Sequence, residues 1–206
     1  MSLKIYGAAR SRAFRTLWMA KELGLDYEHI KIDFATGETR TPEHLALNPN
    51  GHVPVIDDDG FILWESMAIN LYLGKKYGRD GFYPPRLVDE ARAWQWSFWG
   101  MTEVERPVLT ALFNRAILPE GERDPAAADA AEKTLAQPLK VLDSALGRSP
   151  YLLGDKFTVA DLNVASILAW ARPAQIDFAA YPKVAEWTRN CAERPAARAA
   201  RQLQRE

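Results

Sequence analysis

Leu3 to Gly7 is a short apolar run, and Ser11 to Leu23 follows with Phe14, Leu17 and Trp18 on one helical face before Gly24 stops the pattern. A strand and then a helix are expected. Tyr27 to Asp33 alternates about Ile30 and Ile32, the period of a half-buried strand. Val53 to Asp57 and Phe61 to Trp64 flank Asp58-Asp59-Gly60, which reads as two strands joined by a tight turn. Ser66 then opens a helix whose Ile69, Tyr72 and Leu73 make one buried stripe. The order is a βαβ unit followed by a ββα unit sharing one sheet.

That order is the layout of an α/β, thioredoxin-like domain. Glycine and two prolines interrupt the pattern at Gly78-Arg79-Asp80-Gly81-Phe82-Tyr83-Pro84-Pro85, so residues 1–78 form one expected domain, 79–85 a linker and 86–206 a second domain. The second shows no strand pattern. Trp94, Phe98 and Met101, then Leu135, Leu139, Leu142 and Leu146, repeat at helical spacing, which predicts an all-α C-terminal helical bundle with both stripes packed inward. Pro107 and Pro138 fall inside these stretches and predict bends or helix ends. Thr158-Val159-Ala160-Asp161 has capping-box spacing ahead of Val164, Ile167 and Leu168, and Pro182 opens a helix with Val184, Trp187 and Cys191 on one face.

Composition narrows the chemistry. Over 206 residues, 26 Lys and Arg balance 27 Asp and Glu, so no bulk positive field exists to hold a nucleic-acid backbone or an anionic membrane. Cys191 is the single cysteine, and His29, His44 and His52 lack paired metal spacing, so neither a disulfide framework nor a metal site is expected. The N-terminus has no signal-peptide pattern and no 18-residue apolar run occurs, which gives a cytoplasmic expectation.

Three segments can carry chemistry. Pro54 stands at the mouth of a strand, and a cis Val53–Pro54 bond would turn the Val53 amide and carbonyl outward, ready to pair with a peptide-like ligand. A plain strand start accounts for it equally. Glu65 and Ser66 open a helix, where free amides suit a carboxylate and Glu65 suits an ammonium, although Ser66 by itself reads as a cap. Ser11 begins the first helix among Arg10, Arg12 and Arg15, a setting for an anion such as a thiolate. No nucleophile elbow or partnered histidine makes Ser11 a hydrolase serine.

With these residues in view the chain resembles the cytosolic glutathione S-transferases, nearest to the serine-type, theta-like branch. The resemblance rests on Ser11 with Arg15 and Ala20-Lys21-Glu22-Leu23-Gly24, on Asn48-Pro49-x-Gly51-x-Val53-Pro54, on Glu65-Ser66, and on Gly154-Asp155-x-Phe157-Thr158-x-Ala160-Asp161. It implies an enzyme that conjugates glutathione, its co-substrate, to small hydrophobic electrophiles. Ser11 would hydrogen-bond the glutathione sulfur, Val53 beside Pro54 would pair with the cysteinyl backbone, Glu65 and Ser66 would hold the γ-glutamyl end, and His52 the glycyl carboxylate. Tyr6, at the strand end used by tyrosine-type relatives, is the runner-up for the sulfur. Cys191 is far along the chain on an apolar stripe, which disfavours thiol-disulfide exchange. The electrophile pocket would involve Phe14, Trp99, Thr102 and Arg106, the last two also explained by a solvated helix face. The resemblance further implies a homodimer. A glutathione-dependent isomerase or dehalogenase, or a non-catalytic carrier of hydrophobic ligands, would keep the same fold.

Overall fold

β1 (Leu3–Tyr6) lies inside a four-stranded mixed sheet of order β2-β1-β3-β4. It runs parallel to β2 (Glu28–Ile30), with Tyr6 opposite Ile30, and antiparallel to β3 (Val55–Asp58), with Tyr6 opposite Val55. β3 continues antiparallel into β4 (Phe61–Trp64) through a turn in which Asp59 and Gly60 both have positive φ, 52° and 91°. That backbone matches the twist of the paired strands, which is why a short polar residue and a glycine stand there. The computed structural model describes Ser2–Arg205.

The helices that alternate with these strands are α1 (Ala13–Glu22), α2 (Pro42–Leu47) and α3 (Ser66–Tyr77). α1 is buried along nearly its whole length, including Phe14, Leu17, Trp18 and Met19, at 1% exposure or less. The expected thioredoxin-like arrangement is present, and the segment between β2 and β3 holds α2, whose N-terminus is capped by Thr41 accepting from the His44 amide at 3.3 Å. The buried carboxylate of Asp58 ties β3 to α3 by accepting from Lys76 at 2.7 Å, Tyr72 at 2.8 Å and Tyr77 at 2.8 Å. Burial alone would raise this carboxyl, but the three donors hold it below the usual carboxylate range.

Residues Pro84–Ala192 form a second unit, entirely helical apart from one isolated bridge between Tyr151 and Gly154. Its helices are α4 (Leu87–Trp99), α5 (Arg106–Leu112), α6 (Pro125–Thr134), α7 (Ala136–Leu146), α8 (Val159–Leu168) and most of α9 (Pro182–Glu193). The Leu135, Leu139, Leu142 and Leu146 stripe is buried as expected, each side chain contributing about 1.5–3 kcal/mol of hydrophobic stabilisation. α8 is buried on all sides and carries the expected capping box. Asp161 accepts from Thr158 N and Oγ1, Leu152 N and the Trp187 indole, at 2.9–3.1 Å. Burial nevertheless pushes its carboxyl up.

Two expectations change, and the two prolines act in particular ways. The stripe of Trp94, Phe98 and Met101 does not form the packed face of α4, because Trp94 is 38% and Phe98 63% exposed. Ala93, Ser97 and Gly100 face inward instead, and a Cβ on Gly100 would come within 2.8 Å of Ile167 Cδ1, so small residues are what let α8 approach. The break at Pro107 takes the form of a widened helical segment, Gly100–Glu105, just before it, which accommodates the missing N–H. Pro138 coincides with a helix end: α6 stops at Thr134, four residues before it, and α7 takes the proline in its first turn, where amides need no partner. Finally, the residues from Glu193 onward belong with the first unit rather than with 86–206: α10 (Pro195–Gln202) packs on α1, buries Ala197 and Ala200, and Arg194 pairs with Glu22.

Candidate functional site

Gly7 ends β1 at a crowded point. A Cβ there would lie 2.7 Å from that of Ala13 and 2.9 Å from that of Val53, so the glycine lets the start of α1 and the loop before β3 meet over the end of β1. Ser11 stands two residues before Ala13, half-buried. Its Oγ donates to the Ala8 carbonyl at 2.7 Å and accepts from the Ala13 amide at 3.1 Å. The Ala8 carbonyl also accepts from the Ser11 amide at 3.0 Å, so it stays satisfied when the hydroxyl rotates to another acceptor. The Ala13 amide, by donating to Oγ, strengthens the O–H as a donor. Tyr6 lies on the face of β1 opposite Leu3 and Ile5, and its hydroxyl makes no hydrogen bond among the described residues.

Two of the three guanidinium groups expected around Ser11, those of Arg10 and Arg15, have other partners. Arg10 pairs with Asp33, whose carboxyl is held below its usual range first by the Ala35 amide and then by Arg10. Arg15 is fully buried and donates from Nη1 to Ser66 Oγ at 3.2 Å, which ties α1 to the start of α3.

The Val53–Pro54 bond is cis. Val53 is half-buried, and neither its amide nor its carbonyl takes a hydrogen bond among the described residues, while Val55 onward pairs with β1 and β4. The preceding loop is tightly knit. Asn48 Oδ1 accepts from the Asn50 amide at 3.1 Å, and the His52 carbonyl accepts from Asn48 Nδ2 at 2.9 Å and His44 Nε2 at 3.0 Å. The His52 side chain itself is exposed. Arg40 donates to the Asn50 carbonyl at 3.3 Å and brings a cation to this loop, although nothing in the local sequence pattern links the two.

Glu65 has φ 74° and ψ 111°, a left-handed conformation costing a non-glycine residue about 1–3 kcal/mol. Its side chain is exposed and makes no ion pair among the described residues. No side chain caps α3, so its first amides are not satisfied from within. Ser66 is buried with its Oγ accepting from Arg15, and its hydroxyl proton remains available.

Of the residues expected at the electrophile, Phe14 is not available. It is 1% exposed with its ring 5.9 Å from that of Trp18, because α1 is enclosed by its own unit. In the helical unit Trp99 is half-buried with its ring edge-on to Trp96 at 5.0 Å, and Thr102 and Arg106 are exposed. Among the described residues no cluster of His, Cys, Asp or Glu could hold a metal, and no helix is long and apolar enough to cross a membrane. Cys191 is buried on α9 beside Val184 and Trp187.

Two family models match: "Glutathione S-transferase, N-terminal domain" over residues 1–75 and "Glutathione S-transferase, C-terminal domain" over residues 103–195. The chain is 36% identical over 204 residues to glutathione S-transferase 3 of Zea mays, covering 94% of this chain and 90% of that protein. It is 32% identical over 189 residues to glutathione S-transferase GstB of Escherichia coli K12, covering 89% of each. The crystal structure of a theta class glutathione S-transferase from Xanthomonas axonopodis pv. citri with glutathione bound superposes with a TM-score of 0.90 at 31% identity, over 96% of both chains.

Proposed function

The chain belongs to the glutathione S-transferase family and is a glutathione-conjugating enzyme, and we propose that its own residues divide the work as follows. Ser11 donates a hydrogen bond to the glutathione sulfur and holds it as the thiolate. Val53 pairs through its backbone with the cysteinyl residue, as a short added strand beside Pro54. Glu65 takes the α-ammonium of the γ-glutamyl group, while Ser66 and the first amides of α3 take its α-carboxylate. His52, with Arg40 bonded to the same loop, takes the glycyl carboxylate. Trp99, Thr102 and Arg106 of the helical unit face the electrophile, a small hydrophobic molecule.

The observation that carries this reading is the hydroxyl of Ser11. A free thiol with a pKa of about 8.5 is only a few per cent ionised at neutral pH, and a hundredfold gain in ionisation requires about 2.7 kcal/mol. A hydrogen bond to a charged acceptor contributes about 1.5–3 kcal/mol and a helix start about 0.3–2 kcal/mol. Together they reach the requirement without a general base. Rotating the hydroxyl from the Ala8 carbonyl to a thiolate exchanges a neutral acceptor for a charged one and leaves no buried acceptor unsatisfied. The thiolate then attacks the electrophilic carbon, the carbon–sulfur bond forms, and the leaving group departs with its electron pair.

Ser11→Ala should lower turnover with a chloronitrobenzene acceptor about tenfold to a hundredfold while changing glutathione affinity by less than about threefold. Unchanged turnover would remove Ser11 from this role and leave Tyr6 as the candidate. The reading extends to a cytoplasmic homodimer, supported by family membership and by the apolar side chains that single chains leave exposed, Trp94 and Phe98 among them.

A further inference from the structure

The structure assigns His44 as a positioning residue: its ring, together with the Asn48 amide, clamps the His52 carbonyl and thereby aims the Val53 N–H at the cysteinyl carbonyl of glutathione. The inference rests on the reading of Val53 given above. The carbonyl of His52 and the amide of Val53 belong to one trans peptide unit, so they point in opposite directions. His44 Nε2 at 3.0 Å and Asn48 Nδ2 at 2.9 Å both donate to that oxygen from the protein side. With the carbonyl held inward the amide is directed outward, and it is an amide no other group of the described chain engages.

A carbonyl oxygen only accepts, so Nε2 carries a proton and donates it. The other ring nitrogen of His44 has no partner. This Nδ1 is buried, on a side chain only 3% exposed. An apolar residue would fill the space without leaving a buried polar atom unsatisfied. What it would lose is the second donor on the His52 carbonyl. The ring is placed by α2, whose Thr41 cap holds the His44 amide and whose last turn bonds the Asn48 amide to the His44 carbonyl. A helix of one and a half turns thus delivers both donors to the same oxygen.

The test compares His44→Leu, which fills the site without a donor, with His44→Gln, which retains one. Binding is measured by calorimetry for glutathione and for an analogue whose cysteinyl–glycyl amide is replaced by a trans alkene. His44→Leu should weaken glutathione about tenfold and the alkene analogue less than about twofold, with kcat at saturating glutathione within about twofold of the parent. His44→Gln should recover most of the glutathione affinity. Thermal unfolding confirms that both variants fold. Equal weakening of both ligands in His44→Leu would reduce His44 to a packing residue and overturn the proposal, as would unchanged glutathione affinity. A parent protein that binds the two ligands equally would instead overturn the Val53 reading itself.

Discussion

Ser11 has one hydroxyl proton, and in this structure the Ala8 carbonyl accepts it. The hydroxyl is nonetheless set up to change partner, since its oxygen is anchored by the Ala13 amide and Ala8 keeps the Ser11 amide. Glu65 poses the opposite problem. Its backbone is held where glycine would be at ease, and the exposed carboxylate is what a glycine lacks. Glu65→Gly should therefore raise the unfolding midpoint, by relief of about 1–3 kcal/mol of strain offset in part by the extra freedom of the unfolded glycine, while glutathione binding falls about tenfold or more. A variant that binds glutathione normally would show that the carboxylate does not meet the ammonium. Both Ser11 and Glu65 were legible from the sequence as types at helix starts. The inward turn of Arg15 was not, because a guanidinium in a row of three reads as surface charge until its burial is seen.

Asp58 shows how one buried group fixes an element. It accepts from Tyr72, Lys76 and Tyr77, which lie along the second half of α3, and so sets that helix against the end of β3. Because the folded carboxyl lies below its unfolded value, the stability it contributes is complete above about pH 4 and disappears as the pH falls through the lowered value. Asp58→Asn should cost on the order of 1–3 kcal/mol at neutral pH, and its unfolding free energy should fall less steeply than the parent's below about pH 4. Parallel acid limbs in denaturant titrations would contradict this. Strand and helix types in the first unit followed directly from period, including the Asp58-Asp59-Gly60 turn. On α4 the period marks a helix but not its buried face: Ala93, Ser97 and Gly100 recur at helical spacing too, but small residues carry little hydrophobic weight beside the aromatic stripe. α2 leaves no clear period in the sequence because it is short.

The division of the chain into two units was visible at the glycine and proline cluster, whereas the return of α10 to the first unit was not. Ala-rich sequence such as Pro195-Ala196-Ala197-Arg198 can pack against any smooth surface, and only the burial of Ala197 and Ala200 shows which one it uses. The exposed apolar side chains Leu87, Val88, Trp94 and Phe98 on α4 would be covered in a dimer. Sedimentation at low protein concentration should therefore give a species of twice the chain mass, and a single-chain mass would refute the homodimer. Glutathione conjugation itself depends on an ionised sulfur. The most direct measurement is a pH titration of the ultraviolet thiolate band of enzyme-bound glutathione in the parent and in Ser11→Ala. The account predicts a midpoint well below about 8.5 for the parent and a clear return toward that value when the hydroxyl is removed. The same midpoint in both proteins would contradict it.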